Sequence, residues 1–230
     1  MSTADGEALV ARLLEDRPLV HDLDLSDSAP LGLMATDPAC YRYLASVCRP
    51  GTRTLETGAG LSTVLLAALG AEHICITPSA DEVARIKEYC ASHDIDDSKV
   101  RFIQQPSHRA LPLIDEEALD LVMIDGAHGF PMPAVDWLYA GGKLRRGGLL
   151  VMDDTHLPAV RLVAEFLDAD QRWSLQVRGS TWAVWLRLHV AELSEDWWEQ
   201  PFYRRPLTVA EVPERALGRL RRIRARRAGR

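Results

Sequence analysis

The chain has 230 residues, of which 47% are hydrophobic and 26% charged, as expected for a globular domain with a sizeable core. No apolar run approaches the roughly 20 residues that a membrane span needs, and the acidic start from Met1 to Glu15 lacks the features of a secretion signal. The net charge is −6, but residues 215–230 hold eight arginines and no acid, which leaves −14 on the rest. The negative charge of residues 1–214 argues against a nucleic-acid partner for the main domain.

The four cysteines are Cys40, Cys48, Cys75 and Cys90, and no two of them have CxxC spacing. This usage favours buried free thiols in a reducing compartment, with a disulfide pair as the alternative. We therefore expect a cytoplasmic protein.

Residues 1–50 have a helical pattern that Pro18, Pro30 and Pro38 interrupt. From Thr52 onwards, short apolar runs alternate with longer amphipathic segments. The predicted strands are Arg53–Glu56, His73–Thr77, Val100–Gln104, Leu119–Asp125 and Gly148–Asp153. The predicted helices between them are Ser62–Leu69, Ala80–Ser92, Ala134–Leu144 and Pro158–Leu167.

Strands that alternate with helices of this length predict an α/β fold with a doubly wound, mostly parallel sheet. The runs Trp173–Arg178 and Trp182–Leu188 flank Gly179-Ser180, which predicts a C-terminal antiparallel hairpin at one edge of a seven-stranded sheet. The first strand is expected at the centre, with the fourth strand beside it. Ligands are then expected at the carboxyl ends of the strands, where the winding reverses.

The stretch from Thr54 to Thr63 combines the end of a buried strand, a tight glycine turn and the first turn of a helix. Glu56 ends the strand, and Gly58 and Gly60 allow the backbone to approach a ligand closely. Such a turn offers bare backbone N–H groups, as nucleotide-binding sites do. A plain connection between strand and helix is the alternative for this turn taken alone.

Two further strands end in acids. Asp125 follows one apolar strand, and Asp153 and Asp154 end another. If the strands are neighbours, the three carboxylates converge, and they repel one another unless a cation or bound protons neutralise them. A hard divalent ion such as Mg²⁺ suits these oxygen ligands. The alternative is that Asp153 and Asp154 only cap the helix that starts near Leu157.

His128 stands three residues after Asp125 and is the candidate general base, because an imidazole can accept a proton at neutral pH. The alternative is a loop histidine that packs or caps. His156, just beyond the acidic pair, is a second candidate for the base.

Together, the glycine turn and the two acidic strand ends resemble those of the class I S-adenosylmethionine-dependent methyltransferases. Among these, they are most similar to the small metal-dependent O-methyltransferases of the catechol and macrolide-sugar type. The resemblance covers roughly residues 50–190 and implies a Rossmann-like methyltransferase fold, with S-adenosylmethionine and Mg²⁺ as cofactors. The histidine at position 128 matches the sugar-modifying enzymes, which favours an alcohol or sugar hydroxyl as acceptor.

The resemblance also implies roles for individual residues. The cofactor-binding residues that it implies are Glu56, Thr57, Gly58, Ala59, Gly60, Ser62, Thr63, Thr77, Ser107 and Asp125. The implied metal ligands are Asp125, Asp153 and Asp154, and the implied catalytic residues are His128 and Asp125. Ser107 lies in the loop that flanks the adenine in the family.

The second strand departs from the family pattern. It should end in Asp or Glu, whose carboxylate binds both ribose hydroxyls, and Thr77 stands there instead. Asp81 or Glu82, in the first turn of the next helix, are candidates to compensate. A dinucleotide-binding site is disfavoured by the same loss, and also because Thr63 replaces the third glycine of G-x-G-x-x-G.

The resulting prediction is an O-methyltransferase that acts on a hydroxyl of a small molecule, a sugar or a phenolic natural product. Mg²⁺ assists the reaction in this prediction, and His128 takes the proton. Three alternatives stay open: a metal-independent methyltransferase of the same fold, a binding or scaffold protein that has lost catalysis, and RNA methylation, which only the arginine tail favours.

The segments outside the resemblance have less specific patterns. The aromatic residues beyond the hairpin are Trp197, Trp198, Phe202 and Tyr203, a candidate lid or homodimer contact, with a simple packing flap as the alternative. Residues 215–230 predict a basic amphipathic helix that contacts anionic surfaces, with a solvated tail as the alternative. The expected division is a helical cap over 1–50, the S-adenosylmethionine-binding domain over 51–190, and a flap with the tail over 191–230.

Overall fold

The computed structural model describes residues 3–16, 18–21, 36–190, 193 and 196–204. The chain divides into two compact units, Met1–Glu192 and Leu193–Arg230. In the described part of the chain, no helix is both long enough and apolar enough to cross a membrane.

Helices and strands alternate along most of the first unit. The helices α1 to α8 span Thr3–Asp16, Pro38–Val47, Leu61–Ala68, Ala80–Ser92, Ser107–Ala110, Met132–Gly141, Pro158–Ala169 and Pro201–Arg204. The strands β1 to β7 span Arg53–Thr57, Glu72–Ile76, Val100–Ile103, Leu119–Ile124, Leu144–Met152, Trp173–Arg178 and Ala183–Arg187. Helix α8 lies in the second unit.

The seven strands form one sheet in the order β3-β2-β1-β4-β5-β7-β6. The first five strands are parallel, and β7 pairs antiparallel with both β5 and β6. The predicted doubly wound sheet is therefore confirmed, with β1 next to β4 near its centre and the hairpin at one edge. The reversal of winding falls between β1 and β4, which places the candidate site at their carboxyl ends.

Both faces of the sheet are buried, which explains why its central strands are almost wholly apolar. Leu121 and Met123 of β4 pack into a cluster with residues of α1 to α4. Val122 and Ile124, which point to the other face, pack into a second cluster with residues of α5 to α7. The four cysteines are buried and free, as predicted.

The largest difference from the predicted element boundaries lies between α6 and β5. The helix predicted over Ala134–Leu144 ends at Gly141, and β5 begins at Leu144, ahead of the predicted start at Gly148. Leu144 pairs with Leu119, and the register between β4 and β5 then shifts before their main pairing begins. Such an irregularity has no clear pattern in the sequence, since Arg145 and Arg146 interrupt the apolar run.

Pro38 is the first residue of α2, a position that proline favours. Asp37 caps that helix, because its side chain accepts a hydrogen bond from the Ala39 N–H at 2.8 Å. Pro30 lies outside the described residues, as does the arginine-rich tail over 215–230. In the second unit, the rings of Trp197 and Trp198 meet edge to face with their centroids 5.9 Å apart. The lid and homodimer roles of this aromatic segment stay predictions.

Candidate active site

The candidate site lies at the carboxyl edge of the sheet, where the neighbouring strands β1, β4 and β5 end. β1 and β4 run in parallel register as far as Thr57 and Ile124. The residues that follow the strands therefore meet at one edge. They are the glycine turn after β1, Asp125 after β4 and the acidic pair after β5.

The glycine turn packs backbone to backbone against the end of β4. Gly58 has a φ of +92°, and a Cβ atom there would lie 2.2 Å from the carbonyl oxygen of Asp125. The Asp125 N–H donates to the Thr57 carbonyl at 3.0 Å, and the Gly58 N–H donates to the Ile76 carbonyl at 2.9 Å. Only glycine fits at position 58, because both its backbone conformation and its surroundings exclude a side chain.

At Gly60, neither the backbone conformation nor the described surroundings require a glycine. Its φ of −172° is extended backbone that any residue adopts, and a Cβ atom there would lie 3.5 Å from His21 Nε2, which is an ordinary contact. Gly60 is the N-cap of α3, and no side chain of the described residues caps that helix. The first N–H groups of α3 are thus left for another partner, as an anion- or nucleotide-binding turn requires.

Glu56 is held in a buried network beneath this turn. Its Oε1 atom accepts a hydrogen bond from Thr63 Oγ1, and the Nε2 atom of His73 lies 3.0 Å from the same oxygen. His73 Nδ1 lies 2.8 Å from Thr54 Oγ1, and Cys75 Sγ donates to the Gly58 carbonyl at 3.5 Å. The network ties β1, β2 and α3 together and so stabilises the shape of the turn.

Glu56, His73 and Cys75 also bring three potential metal-ligand atoms within 4.8 Å of one another. Burial raises the pKa of the Cys75 thiol well above its usual value, which keeps the thiol protonated. Each of these side chains already has a hydrogen-bond partner. A structural hydrogen-bond network explains the cluster.

The other predicted cofactor residues of this region line the same turn. Ala59, Ser62 and Thr63 are buried at the start of α3. Thr63 Oγ1 also accepts a hydrogen bond from the Gly60 N–H at 3.1 Å. Their assignment to the cofactor stays a prediction, as does that of Glu56.

Asp125, His128 and Asp154 bring three potential ligand atoms within 4.8 Å of one another. His128 Nε2 lies 3.1 Å from Asp154 Oδ2, and the other oxygen of Asp154 lies 3.7 Å from His156 Nδ1. The side chains of His128 and Asp154 are 34% and 31% exposed, so solvent and small molecules can reach them, whereas the carboxylate of Asp125 is more enclosed. The two acidic strand ends and the histidine thus converge, as the sequence pattern indicates.

Asp153, the third predicted metal ligand, has a more enclosed position. Its side chain is buried, and its Oδ1 atom accepts the N–H of Asp154 at 2.9 Å. It does not belong to the group of three ligand atoms formed by Asp125, His128 and Asp154. Its role at a metal stays a prediction.

The close approach of these acids changes their protonation. Burial, and then the carboxylates of Asp153 and Asp154, raise the pKa of Asp125 well above its usual range, and a hydrogen bond from Thr36 opposes the shift. Burial also raises the pKa of Asp153, while Thr36 and the Asp154 N–H oppose that shift. Clustered acids of this kind bind either protons or a cation.

The helix-capping alternative for the acidic pair is wrong. Helix α7 begins at Pro158 with Leu157 as its N-cap, and no side chain of the described residues caps it. Asp154 contributes only its carbonyl, which accepts the Leu157 N–H at 2.8 Å. Its backbone is left-handed, with a φ of +54°, so local conformation directs its carboxylate towards His128 instead.

Ser107, the predicted neighbour of the adenine, begins α5 and lies near a buried acid on α6. Asp136 is fully buried, and neither of its carboxylate oxygens has a hydrogen-bond partner among the described residues. Burial raises the pKa of Asp136, and the hydroxyls of Ser107 and Thr57, which are nearby but miss hydrogen-bond geometry, oppose this shift only in part. Thr57 Oγ1 is likewise buried without a partner among the described residues.

We expect Asp136→Asn to stabilise the protein at pH 7, because an acid whose pKa is raised on folding is destabilising once it is ionised. The folded-state pKa lies above the ordinary value of 3.8, so the contribution of Asp136 to stability is full below that pH and is lost as the pH rises through the folded-state pKa. Denaturant unfolding between pH 4 and 8 should show the advantage of the variant shrinking towards pH 4. The exposed Asp115→Asn is the control, and equal behaviour of the two variants would exclude an uncompensated acid at position 136.

Two residues that the sequence analysis did not select also reach this edge. Thr36 Oγ1 donates to Asp125 Oδ2 at 3.2 Å, and His21 lies beside Gly60. Both come from the segment before β1, which carries no motif. For Asp136, an acid within an apolar stretch of α6 is a signal that the sequence did offer.

Comparison with known proteins agrees with this geometry. Residues 55–155 match the family model of a methyltransferase domain. Among solved structures, a protein of Corynebacterium glutamicum is similar over 79% of this chain and 90% of its own, with 20% identity and a TM-score of 0.61. No curated protein gives a significant match to the chain.

Two further structures have more specific descriptions. The O-methyltransferase TomG from Streptomyces achromogenes, involved in tomaymycin synthesis and solved with S-adenosylmethionine, is similar over 82% of this chain and 100% of its own, with 17% identity and a TM-score of 0.59. An rRNA methylase from Streptococcus thermophilus is similar over 68% of this chain and 99% of its own, with 13% identity and a TM-score of 0.53. At these identities the likeness shows the fold, and the fold is compatible with different methyl acceptors.

The strand order, the glycine turn after β1 and the acids after β4 and β5 define a Rossmann-like methyltransferase fold. Residues 55–155 match the model of a methyltransferase domain, so the chain carries a methyltransferase domain of this fold over those residues.

Proposed function

We propose that the protein transfers the methyl group of S-adenosylmethionine to a hydroxyl oxygen of a small molecule, a sugar or a phenolic natural product. The observation that carries the proposal is the group formed by Asp125, His128 and Asp154 at the carboxyl edge of the sheet. A hydroxyl must lose its proton as it is methylated, and His128 is a partly exposed imidazole already oriented by a carboxylate 3.1 Å away.

The glycine turn fits the proposed cofactor. Gly58 leaves no side chain at the junction of β1 and β4, and the first N–H groups of α3 carry no side-chain cap from the described residues. The residues that would hold the cofactor are Glu56, Thr57, Gly58, Ala59, Gly60, Ser62, Thr63, Thr77, Ser107 and Asp125. When bound, S-adenosylmethionine supplies a methyl group on a positively charged sulfur. The chain contributes chiefly by holding the acceptor oxygen in line with that group.

The acids fit a hard divalent cation. Asp125 and Asp154 offer carboxylate oxygens close together, and Asp153 lies directly beside them with a raised pKa. When bound, Mg²⁺ supplies a Lewis acid that lowers the pKa of an acceptor hydroxyl. We propose Asp125, Asp153 and Asp154 as its ligands and His128 as the group that takes the proton.

A metal-independent version of the same reaction is the second candidate. The contact between His128 Nε2 and Asp154 Oδ2 favours it, because an ion pair with the histidine gives Asp154 a role that needs no cation. In this version Asp154 orients the imidazole and stabilises its protonated form, as the acid of a catalytic triad does.

Titration of S-adenosylhomocysteine into chelator-treated protein, and then with Mg²⁺ added, tests the cofactor and the metal together. We expect binding in both titrations, and methyl transfer to a catechol or glycoside that depends on Mg²⁺. Asp154→Asn should weaken the affinity for Mg²⁺, so that the Mg²⁺ concentration needed for half-maximal turnover rises by at least about 10-fold. Asp94→Asn is the matched control, since Asp94 has nearly the same left-handed backbone, with a φ of +55°, on an exposed turn. Full activity in EDTA would exclude the metal-dependent version.

A further inference from the structure

The end of β2 lacks the acid that usually binds the ribose of a nucleotide cofactor in folds of this kind. Thr77 follows the strand directly, and its side chain is buried. β2 pairs in parallel with β1 up to Ile76, so Thr77 lies at the same edge as the glycine turn. A single hydroxyl at this place cannot accept hydrogen bonds from both ribose hydroxyls with the strength of a carboxylate.

Glu82, in the first turn of α4, brings a carboxylate to Thr77. Thr77 Oγ1 donates to Glu82 Oε2 at 2.7 Å. The spacing of Ser79 and Glu82 is that of a capping box, in which the glutamate would return to the N–H of Ser79. Here the Ser79 N–H donates to Thr77 Oγ1 at 3.2 Å instead. The glutamate is thus not used to close the cap and is held beside the end of β2.

His21 connects this carboxylate to the glycine turn. Its Nδ1 atom lies 3.0 Å from Glu82 Oε1, and its Nε2 atom lies 3.5 Å from the Cβ position on Gly60. The Glu82 side chain keeps 21% of its surface exposed. The carboxylate is therefore both close to the turn and accessible, which are the two conditions for contact with a bound nucleoside.

We propose that Glu82 supplies the carboxylate that accepts hydrogen bonds from the ribose hydroxyls of the cofactor, and that Thr77 positions it. The acid is thereby moved from the end of β2 to the first turn of α4. Among the described residues, each oxygen of Glu82 has one partner, Thr77 or His21, and a carboxylate oxygen can accept two hydrogen bonds. One further hydroxyl can bind at each oxygen. The inference rests on S-adenosylmethionine as the proposed cofactor.

Calorimetric titration with S-adenosylhomocysteine and with its 2′-deoxy analogue tests the assignment. The wild-type protein should bind the parent ligand about 10- to 100-fold more tightly than the analogue, the range expected for a hydrogen bond to a charged group. Glu82→Gln should lose affinity for the parent ligand by a similar factor and bind the two ligands almost equally. Asp81→Asn is the matched control, because Asp81 is an exposed acid in the same turn, and it should behave as the wild type.

A double variant separates a direct contact from a structural role. Thr77→Asp in the Glu82→Gln background returns an acid to the end of β2, and it should restore both the affinity and the preference for the ribose 2′-hydroxyl. If Glu82→Gln leaves the affinity and the preference unchanged while S-adenosylhomocysteine still binds, Glu82 is not the ribose ligand. If the wild-type protein binds neither ligand, the proposed cofactor itself is wrong, and the assignment of Glu82 is overturned with it.

Discussion

Replacement of His128 by alanine should lower the rate of methyl transfer by about 10²- to 10⁴-fold, the usual contribution of a positioned general base. The affinity for S-adenosylhomocysteine should change little, because His128 follows β4 and is not part of the glycine turn. The imidazole Nε2 lies 3.1 Å from Asp154 Oδ2, so a carboxylate is in place to stabilise the protonated ring. Transfer of labelled methyl groups to a catechol or a glycoside gives the rate, and calorimetry gives the affinity.

His156 provides the matched control for this experiment. It contacts the other oxygen of the same carboxylate, but at 3.7 Å, and its side chain is 51% exposed. His156→Ala should therefore keep most of the activity, although both variants remove an imidazole that faces Asp154. If His156→Ala loses the activity and His128→Ala keeps it, the base is His156. A loss of cofactor affinity in His128→Ala would point to a binding role for this residue.

The fold could be predicted because its strands and helices each have a strong local pattern. β4 is apolar on both faces, and the two β-rich runs around Gly179-Ser180 leave room only for a tight turn. The start of β5 could not be predicted in the same way. Leu144 pairs with Leu119 across an irregular register, and only the neighbouring strand defines that pairing.

The acidic edge was predictable for a geometric reason. Parallel neighbouring strands end together, so an acid after β4 and a pair after β5 must lie close to each other once the strand order is known. Which of the pair turns towards His128 depends on the left-handed backbone of Asp154. That conformation is a property of the turn in the folded chain. The sequence pattern therefore predicts Asp153 and Asp154 equally as ligands.

The contacts from the segment before β1 could not be predicted. Thr36 bonds to Asp125, and His21 to Glu82, across long separations in sequence and without any motif in the segment that supplies them. Glu82 itself was one of two candidate acids, because Asp81 precedes it in the same turn. The hydrogen bond from Thr77 to Glu82 favours Glu82 over Asp81, because it holds the Glu82 carboxylate at the end of β2.

The most damaging backbone substitution should be Gly58→Ala, with a loss of about 2 to 6 kcal/mol in the free energy of unfolding, from backbone strain together with overpacking. The added Cβ would lie 2.2 Å from the carbonyl oxygen of Asp125. That oxygen is backbone, so no change of rotamer relieves the clash, and the ends of β1 and β4 must separate. Since this would separate the glycine turn from Asp125, we also expect binding of S-adenosylhomocysteine to be lost.

Gly51→Ala separates the two causes of this loss. Gly51 has a similar left-handed φ of +84°, but no atom lies within 4 Å of a Cβ built there. It should therefore cost only the strain of the left-handed backbone, about 1 to 2 kcal/mol, and leave ligand binding intact. Denaturant unfolding and calorimetry on both variants give the comparison. Equal losses in the two variants would mean that strain alone acts at Gly58, and that the contact between the glycine turn and the end of β4 does not hold the site together.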